Sequence, residues 1–172
     1  RDRYKTHIWG FLECQNGAIF HATTSYLEKF DKLQASFHHE LNIEESNAFL
    51  NSNFAPPTLR RNIGILGLLH KRVLGKAHPI FQELLPFHVD RFGSLRQNEH
   101  SKQLYCHSLE VHGQYMLHRR SIFGMVPIYN RLPQSVVDCL SVSAFQSQLT
   151  KMAREKCKND DQTWKSLFSA RI

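Results

Sequence analysis

Apolar positions recur at helical spacing along most of the chain. Leu27, Phe30, Gln34, Phe37 and Leu41 repeat every three or four residues and predict one face of a helix ending near Asn42. Thr23, Thr24 and Ser25 offer capping hydroxyls ahead of it, and Glu28 follows Ser25 by three positions, as in a capping box. Upstream, Ile8, Phe11 and Leu12 share a helical face, and Gln15, Asn16 and Gly17 predict a break or kink. Residues 44–53 are acidic and read as a short connecting piece.

Pro56 and Pro57 then suit a helix start, because proline fits a first turn and not a helix interior. The segment after them is apolar on most sides through Ile63, Ile65, Leu66, Leu68, Leu69, Val73 and Leu74, the pattern of a central buried helix. Gly64 and Gly67, three apart, predict a face where a neighbouring helix comes close, and Gly75 is the expected C-terminal cap. A short helix is expected between Pro79 and Pro86, a surface loop over 88–102, and an extended segment or short hairpin over 103–117, where apolar residues alternate around Gly113. The final third predicts a helix over 117–130, a turn at Pro133, and a helix over 142–158 capped by Ser141, with Phe145, Gln148, Leu149 and Met152 inward. Asn159, Asp160 and Asp161 should end it, leaving 159–172 as a tail or short helix. The expected fold class is all-α, a bundle-like multi-helix domain over 1–158 built around residues 63–74.

Composition supports a folded chain. The 172 residues are 41% hydrophobic with twelve Phe, enough for one domain with its own core. No window approaches the ~20 apolar residues of a spanning helix, so no membrane partner is expected. Starting at Arg1 with neither an initiator methionine nor a charged-then-apolar leader, the chain is expected to be a piece of something longer. Cys14, Cys106, Cys139 and Cys157 are widely scattered, which fits reduced thiols in an intracellular protein.

Catalytic and metal motifs are sparse. Cys106, His107, His112 and His118, with His100 nearby, are metal-capable, yet no pair of cysteines stands close enough for a structural zinc site. Asp90, Glu99 and Lys102 have the residue types of a metal-dependent nuclease, but a spacing of three does not place Glu99 and Lys102 on one face of a strand. The pair Asp160-Asp161 follows Lys158-Asn159 instead of an apolar strand and reads as a helix-ending turn. GxSxG, HExxH, GxxxxGK[ST] and GxGxxG are all missing from the sequence, and no cofactor is expected.

Basic residues, by contrast, cluster. Net charge is +7, and cations group at Arg60 and Arg61, at Lys71, Arg72 and Lys76, at Arg119, Arg120 and Arg131, and at Lys151, Arg154 and Lys158. The last three fall at i, i+3 and i+7, one helical face opposite Phe145. Such a stripe suits an RNA or DNA backbone; it equally suits a solvated helix face.

Several segments, in order, resemble the region after the catalytic core in reverse transcriptases of non-LTR (LINE-type) retrotransposons. WGFLECQNGAIFHATTSYLEKFDKLQASFHHELNI is similar to the thumb-like part of that family, with Glu13, Leu27, Leu33 and Gln34 matching its pattern. LRRNIGILGLLHKRVLGKAHP resembles the next helix, and YNRLPQSVVDCLSVSAFQSQL the family's C-terminal ending. The resemblance spans about residues 6–149. It implies a helical module that grips template RNA or primer DNA beside an active site located elsewhere. That active site would lie in an upstream polymerase core, since the apolar-x-Asp-Asp strand on which polymerisation depends is not found in this sequence. The competing expectation is a helical interaction or scaffold domain, a retroelement remnant whose basic residues serve solubility.

Overall fold

The fold is organised by the 17-residue helix that begins at Pro57. The computed structural model describes residues 4–10, 16–88, 100–105 and 115–171. A π-helical turn, Tyr4–Trp9, is followed by α1 (Asn16–Ile19), α2 (Thr24–Glu40), α3 (Glu45–Ser52), α4 (Pro57–Val73) and α5 (Ile80–Leu84). Then come α6 (Tyr115–Arg119), α7 (Val126–Asn130), α8 (Gln134–Val137) and α9 (Val142–Lys158), with 3-10 turns at Ile122–Met125 and Gln162–Ser166. The only β pairing among the described residues is an isolated antiparallel bridge between Phe87 and Leu104, so the class is all-α. None of the described helices is long and apolar enough to cross a membrane.

Pro57 occupies the first turn of α4, where its missing N–H costs nothing. Pro56 has no side chain to cap the helix, and Asp31 of α2 takes that role. Its carboxylate accepts the Thr58 N–H at 2.8 Å and the Thr58 hydroxyl. At the other end Gly75 has φ +69°, the left-handed conformation that glycine adopts without strain. Between these ends α4 is buried nearly all round: Leu59, Ile65, Leu66 and Leu69 join the core, and even Arg61, Asn62, His70 and Arg72 are buried.

α9 runs antiparallel to α4. Phe145 near its start stacks on His70 near the end of α4, with ring centroids 4.1 Å apart, whereas Arg154 reaches the residues just ahead of α4. Gly67 stands at this approach, where a Cβ would meet the Gln146 amide at 2.4 Å. Gly64 differs: a Cβ there would meet nothing within 4 Å, so only one of the two glycines marks the close face. His70 ties the core to the connection before α9. Its Nε2–H donates to the Cys139 carbonyl at 2.8 Å, which leaves Nδ1 to accept from the Tyr129 hydroxyl at 3.1 Å. Burial lowers the His70 pKa and pushes the Tyr129 hydroxyl far above its usual range, so both groups stay neutral.

Several expectations shift in detail. Of the three hydroxyls offered ahead of α2, Thr23 is the cap, accepting the Tyr26 N–H, so the cap stands two positions before the Ser25 of the expected capping box. Leu41, expected inward, falls past the helix end and is exposed. Residues 44–53 contain helix α3, which buries Ala48 and Phe49 and ends at Asn53 in the left-handed conformation. The single helix expected over 117–130 is three pieces. Pro127 restarts it as a first-turn residue of α7, and Gly124 lies so near the Arg119 carbonyl that a Cβ would stand 2.7 Å from it.

The expected loop over 88–102 is tucked in at its end. His100 is buried and bonded to the Tyr129 carbonyl, and Lys102 Nζ donates to the Val137 carbonyl and to Asp138, both at 3.0 Å. Residues 89–99 lie outside the described residues, as does Gly113. Residues 103–105 are extended, but they pair with 86–88. Past α9, Asp160 takes φ +53°, Asp161 caps the 3-10 turn, and Trp164 and Phe168 enter the main core.

Candidate nucleic-acid interface

Ser141 sets the start of α9 by accepting the Ala144 N–H at 3.1 Å. Phe145, Leu149, Ala153 and Cys157, each four residues from the next, are buried against the core. Gln148, expected inward, is exposed, and Ala153 and Cys157 continue the inner face in its place. That phase leaves Ser143, Gln146, Ser147, Thr150, Lys151 and Arg154 on another face, at spacings of three and four. Together with Asn53 at the end of α3 they line an open groove of about 560 Å³.

Every side chain lining the groove is neutral or cationic. Lys151 is exposed, while Arg154 is anchored: one Nη donates to Asn53 Oδ1 at 2.9 Å, and the guanidinium stands over the Phe49 ring at 5.5 Å. The left-handed backbone of Asn53 turns its amide toward that guanidinium. Thr150 uses its hydroxyl proton on the Gln146 carbonyl at 2.9 Å, so its oxygen lone pairs remain for a donor in the groove.

The other basic residues separate into two groups. Arg60 and Arg61 sit in the first turns of α4 and face inward. Arg60 donates to the Ala55 carbonyl at 2.9 Å and lies 3.9 Å from the centre of the Trp9 ring. Arg61, only 4% exposed, pairs with Asp31 at 3.6 Å and donates to Thr58. Arg72 is buried, donates from Nε to the Leu85 carbonyl at 2.8 Å and covers the Phe87 ring. Arg119 likewise donates to the Ala170 carbonyl at 2.8 Å. All four are engaged within the protein: Arg61 holds side chains of α2 and α4, and the other three donate to backbone carbonyls, because a guanidinium with five donors can satisfy carbonyls that no helix ladder reaches.

Lys71, Arg131, Lys151 and Lys158 are exposed, and their side chains make no hydrogen bond or ion pair among the described residues. Lys76 is exposed and touches the Leu140 carbonyl at 3.3 Å, and Arg120 is half-buried. Lys151, Arg154 and Lys158 thus keep the shared face that their spacing predicts, with Arg154 recessed between two free lysines. The Ser, Thr and Gln members of the groove were legible in the same periodicity, which an inspection of charge alone passes over.

A second concavity, of about 230 Å³, has the opposite character. Glu44, Glu45, Ser46, Asp160, Gln162 and Lys165 line it with Cys157 and Trp164. Lys165 pairs with Glu45 there, and burial, with Asp160 and Glu44 nearby, raises the Cys157 pKa and keeps the thiol protonated. α9 therefore borders a carboxylate-free groove along most of its length and an acidic hollow at its end.

The remaining candidate residues that are described find structural roles. Among the described residues no group of three His, Cys, Asp or Glu is arranged to hold a metal ion. His118 stacks on Phe123, while Cys106, His107, His112, Asp90 and Glu99 lie outside the described residues. Asp161 accepts from Lys156 at 2.8 Å and from Thr163, which holds its carboxyl well below the usual range, as a capping residue.

No family model, no curated protein and no solved structure matches this chain. The groove's own chemistry is what bears on function. Its cations, hydroxyls and amides, free of carboxylates, suit an anionic chain lying along α9.

Proposed function

We propose that this chain is a non-catalytic helical module that binds the backbone of RNA or DNA without reading its sequence. In this proposal it serves as the thumb and post-thumb region of a non-LTR reverse transcriptase whose polymerase core lies upstream. The observation that carries the reading is the carboxylate-free groove along α9, with Lys151 and Arg154 in its wall. Lys158 extends the same face by one turn, and the net charge of +7 would steer a polyanion toward it. Backbone contacts of this kind position a strand and carry no sequence information.

Salt titration tests the reading. Anisotropy with mixed-sequence RNA and DNA oligonucleotides should show log K falling linearly with log salt concentration, with a slope of about −2 to −4.5 for three to five neutralised phosphates. Lys151→Ala should flatten that slope by about 0.7–0.9, equally for unrelated sequences. Absence of binding at low salt, or an affinity indifferent to salt, would sink the proposal. One observation favours a second reading, a protein-interaction scaffold: Arg60, Arg61, Arg72, Arg119 and Arg154 all hold parts of the chain itself. Under that reading Lys151→Ala changes nothing.

A further inference from the structure

α2, α4 and α9 are each 17 residues long, and of the three only α2 exposes large apolar side chains. Its inner face buries Leu27, Gln34 and His38. On its outward face Tyr26 is 50% and Leu33 52% exposed, with Phe30 and Phe37 half-buried beside them. Single apolar residues on a surface are ordinary, but these four form a row. Positions 26, 30, 33 and 37 have the four-three-four spacing of a coiled-coil seam, the pattern that suits a second helix lying alongside. The row is held in place before any partner arrives. Phe30 meets Tyr26 edge-on at 5.8 Å, the Arg61 guanidinium stands over Phe30 at 5.7 Å, and Tyr4 stacks on Phe37 at 4.1 Å. Anchors ordered in this way lose little freedom on association.

Charge decides what fits along the row. At one end the Lys29 ammonium lies 5.6 Å from the centre of the Tyr26 ring, and at the other Glu40 continues the seam three positions past Phe37. Neither the Lys29 nor the Glu40 side chain makes a hydrogen bond or ion pair among the described residues, and both are exposed. Leu33 is seven positions from Tyr26 and seven from Glu40, so it marks the midpoint. A second α2 laid antiparallel across Leu33 brings its Glu40 to Tyr26 and Lys29, where a phenol and an ammonium can both donate to the carboxylate. The two-fold axis repeats that contact at the other end. A parallel copy would instead set Lys29 beside Lys29 and Glu40 beside Glu40.

We propose that the outward face of α2 is a self-association surface: two copies of this chain pair antiparallel through Tyr26, Phe30, Leu33 and Phe37, with Lys29 of each beside Glu40 of the other. The row is self-complementary only in that orientation, with one cation and one anion at opposite ends of an apolar stripe centred on Leu33. It shares no residue with the groove along α9 and does not depend on what that groove binds. A single pair of helices about 25 Å long buries less than a standard interface, so the association is weak, with a Kd on the order of 10–100 µM.

Sedimentation equilibrium of the full chain over about 5–500 µM brackets that value and should fit a monomer and a dimer. Leu33→Glu, at a half-exposed site where a good helix former is tolerated, should leave the thermal midpoint unchanged. It should weaken the dimer by about tenfold or more, because two carboxylates would face each other at the axis. Lys29→Glu and Glu40→Lys should each weaken self-association. An equimolar mixture of these two variants should associate more tightly than either alone, because both contacts between positions 29 and 40 of the mixed pair again join opposite charges. A chain that stays monomeric over the whole range, a dimer indifferent to Leu33→Glu, or a mixture no tighter than its two components would each overturn the proposal.

Discussion

At the residue scale, the arginines show how far a basic side chain can be from solvent. Asp31 is the partner on which this depends, since one carboxylate caps α4 through Thr58 and offsets the buried Arg61. Asp31→Ala should therefore cost about 2–4 kcal/mol, from a lost cap and a guanidinium left without its counter-charge. Arg61→Leu in the same background should restore part of that loss, because the cation stranded by the first change is gone. Urea midpoints at constant m-value would measure both. Neither partnership was legible from the sequence. Arg60-Arg61 ahead of an apolar helix has the composition of an exposed cluster, and only the packing of α2 across the first turns of α4 turns it inward. Lys151 and Lys158 were legible, because the phase of α9 is set by Phe145 and Leu149 alone.

At the element scale, strong local signals carried through and weak ones did not. Pro57 and Gly75 by backbone preference, and Ser141 by its capping hydroxyl, each mark a boundary with a local signal that packing does not change, and α4 and α9 begin or end beside them. α3 lacks such a signal: its eight residues hold only Ala48, Phe49 and Leu50 in an otherwise polar segment, and it is helical because Phe49 finds Trp164 to stack on, 5.1 Å away and far along the chain. The paired glycines of α4 separate in the same way, and they give opposite predictions. Gly64→Ala should raise stability by about 0.5–1 kcal/mol, since it adds helix propensity in open space. Gly67→Ala should be nearly neutral, because the half-exposed Gln146 amide can swing into the groove. Gly67→Leu should cost about 1–3 kcal/mol by forcing α4 and α9 apart. Thermal midpoints of the three variants would rank them, and an equal response at 64 and 67 would contradict the asymmetric approach of α9.

At the scale of the whole molecule, the last fourteen residues decide whether the helices form one cooperative unit. Trp164 stacks on Phe49 of α3, and Phe168 lies in the same core. Arg171 donates to the carbonyls of Phe20 and Ala22, and Ala170 receives Arg119, so this segment joins the first helices to the middle of the chain. An aspartate-rich turn followed by two isolated aromatics reads as a tail only while its partners, more than a hundred positions upstream, are out of view. Trp164→Ala should then cost about 3–5 kcal/mol, the range for a buried aromatic whose site cannot collapse. Ending the chain at Lys158 should do more than lower the midpoint: by uncovering Phe49 it should broaden the urea transition, reduce its m-value and produce dye binding before unfolding. If the shortened chain instead unfolded as sharply as the full one, at an unchanged midpoint, the last segment would lie on the core without holding it together. The groove along α9 would then be able to form without it.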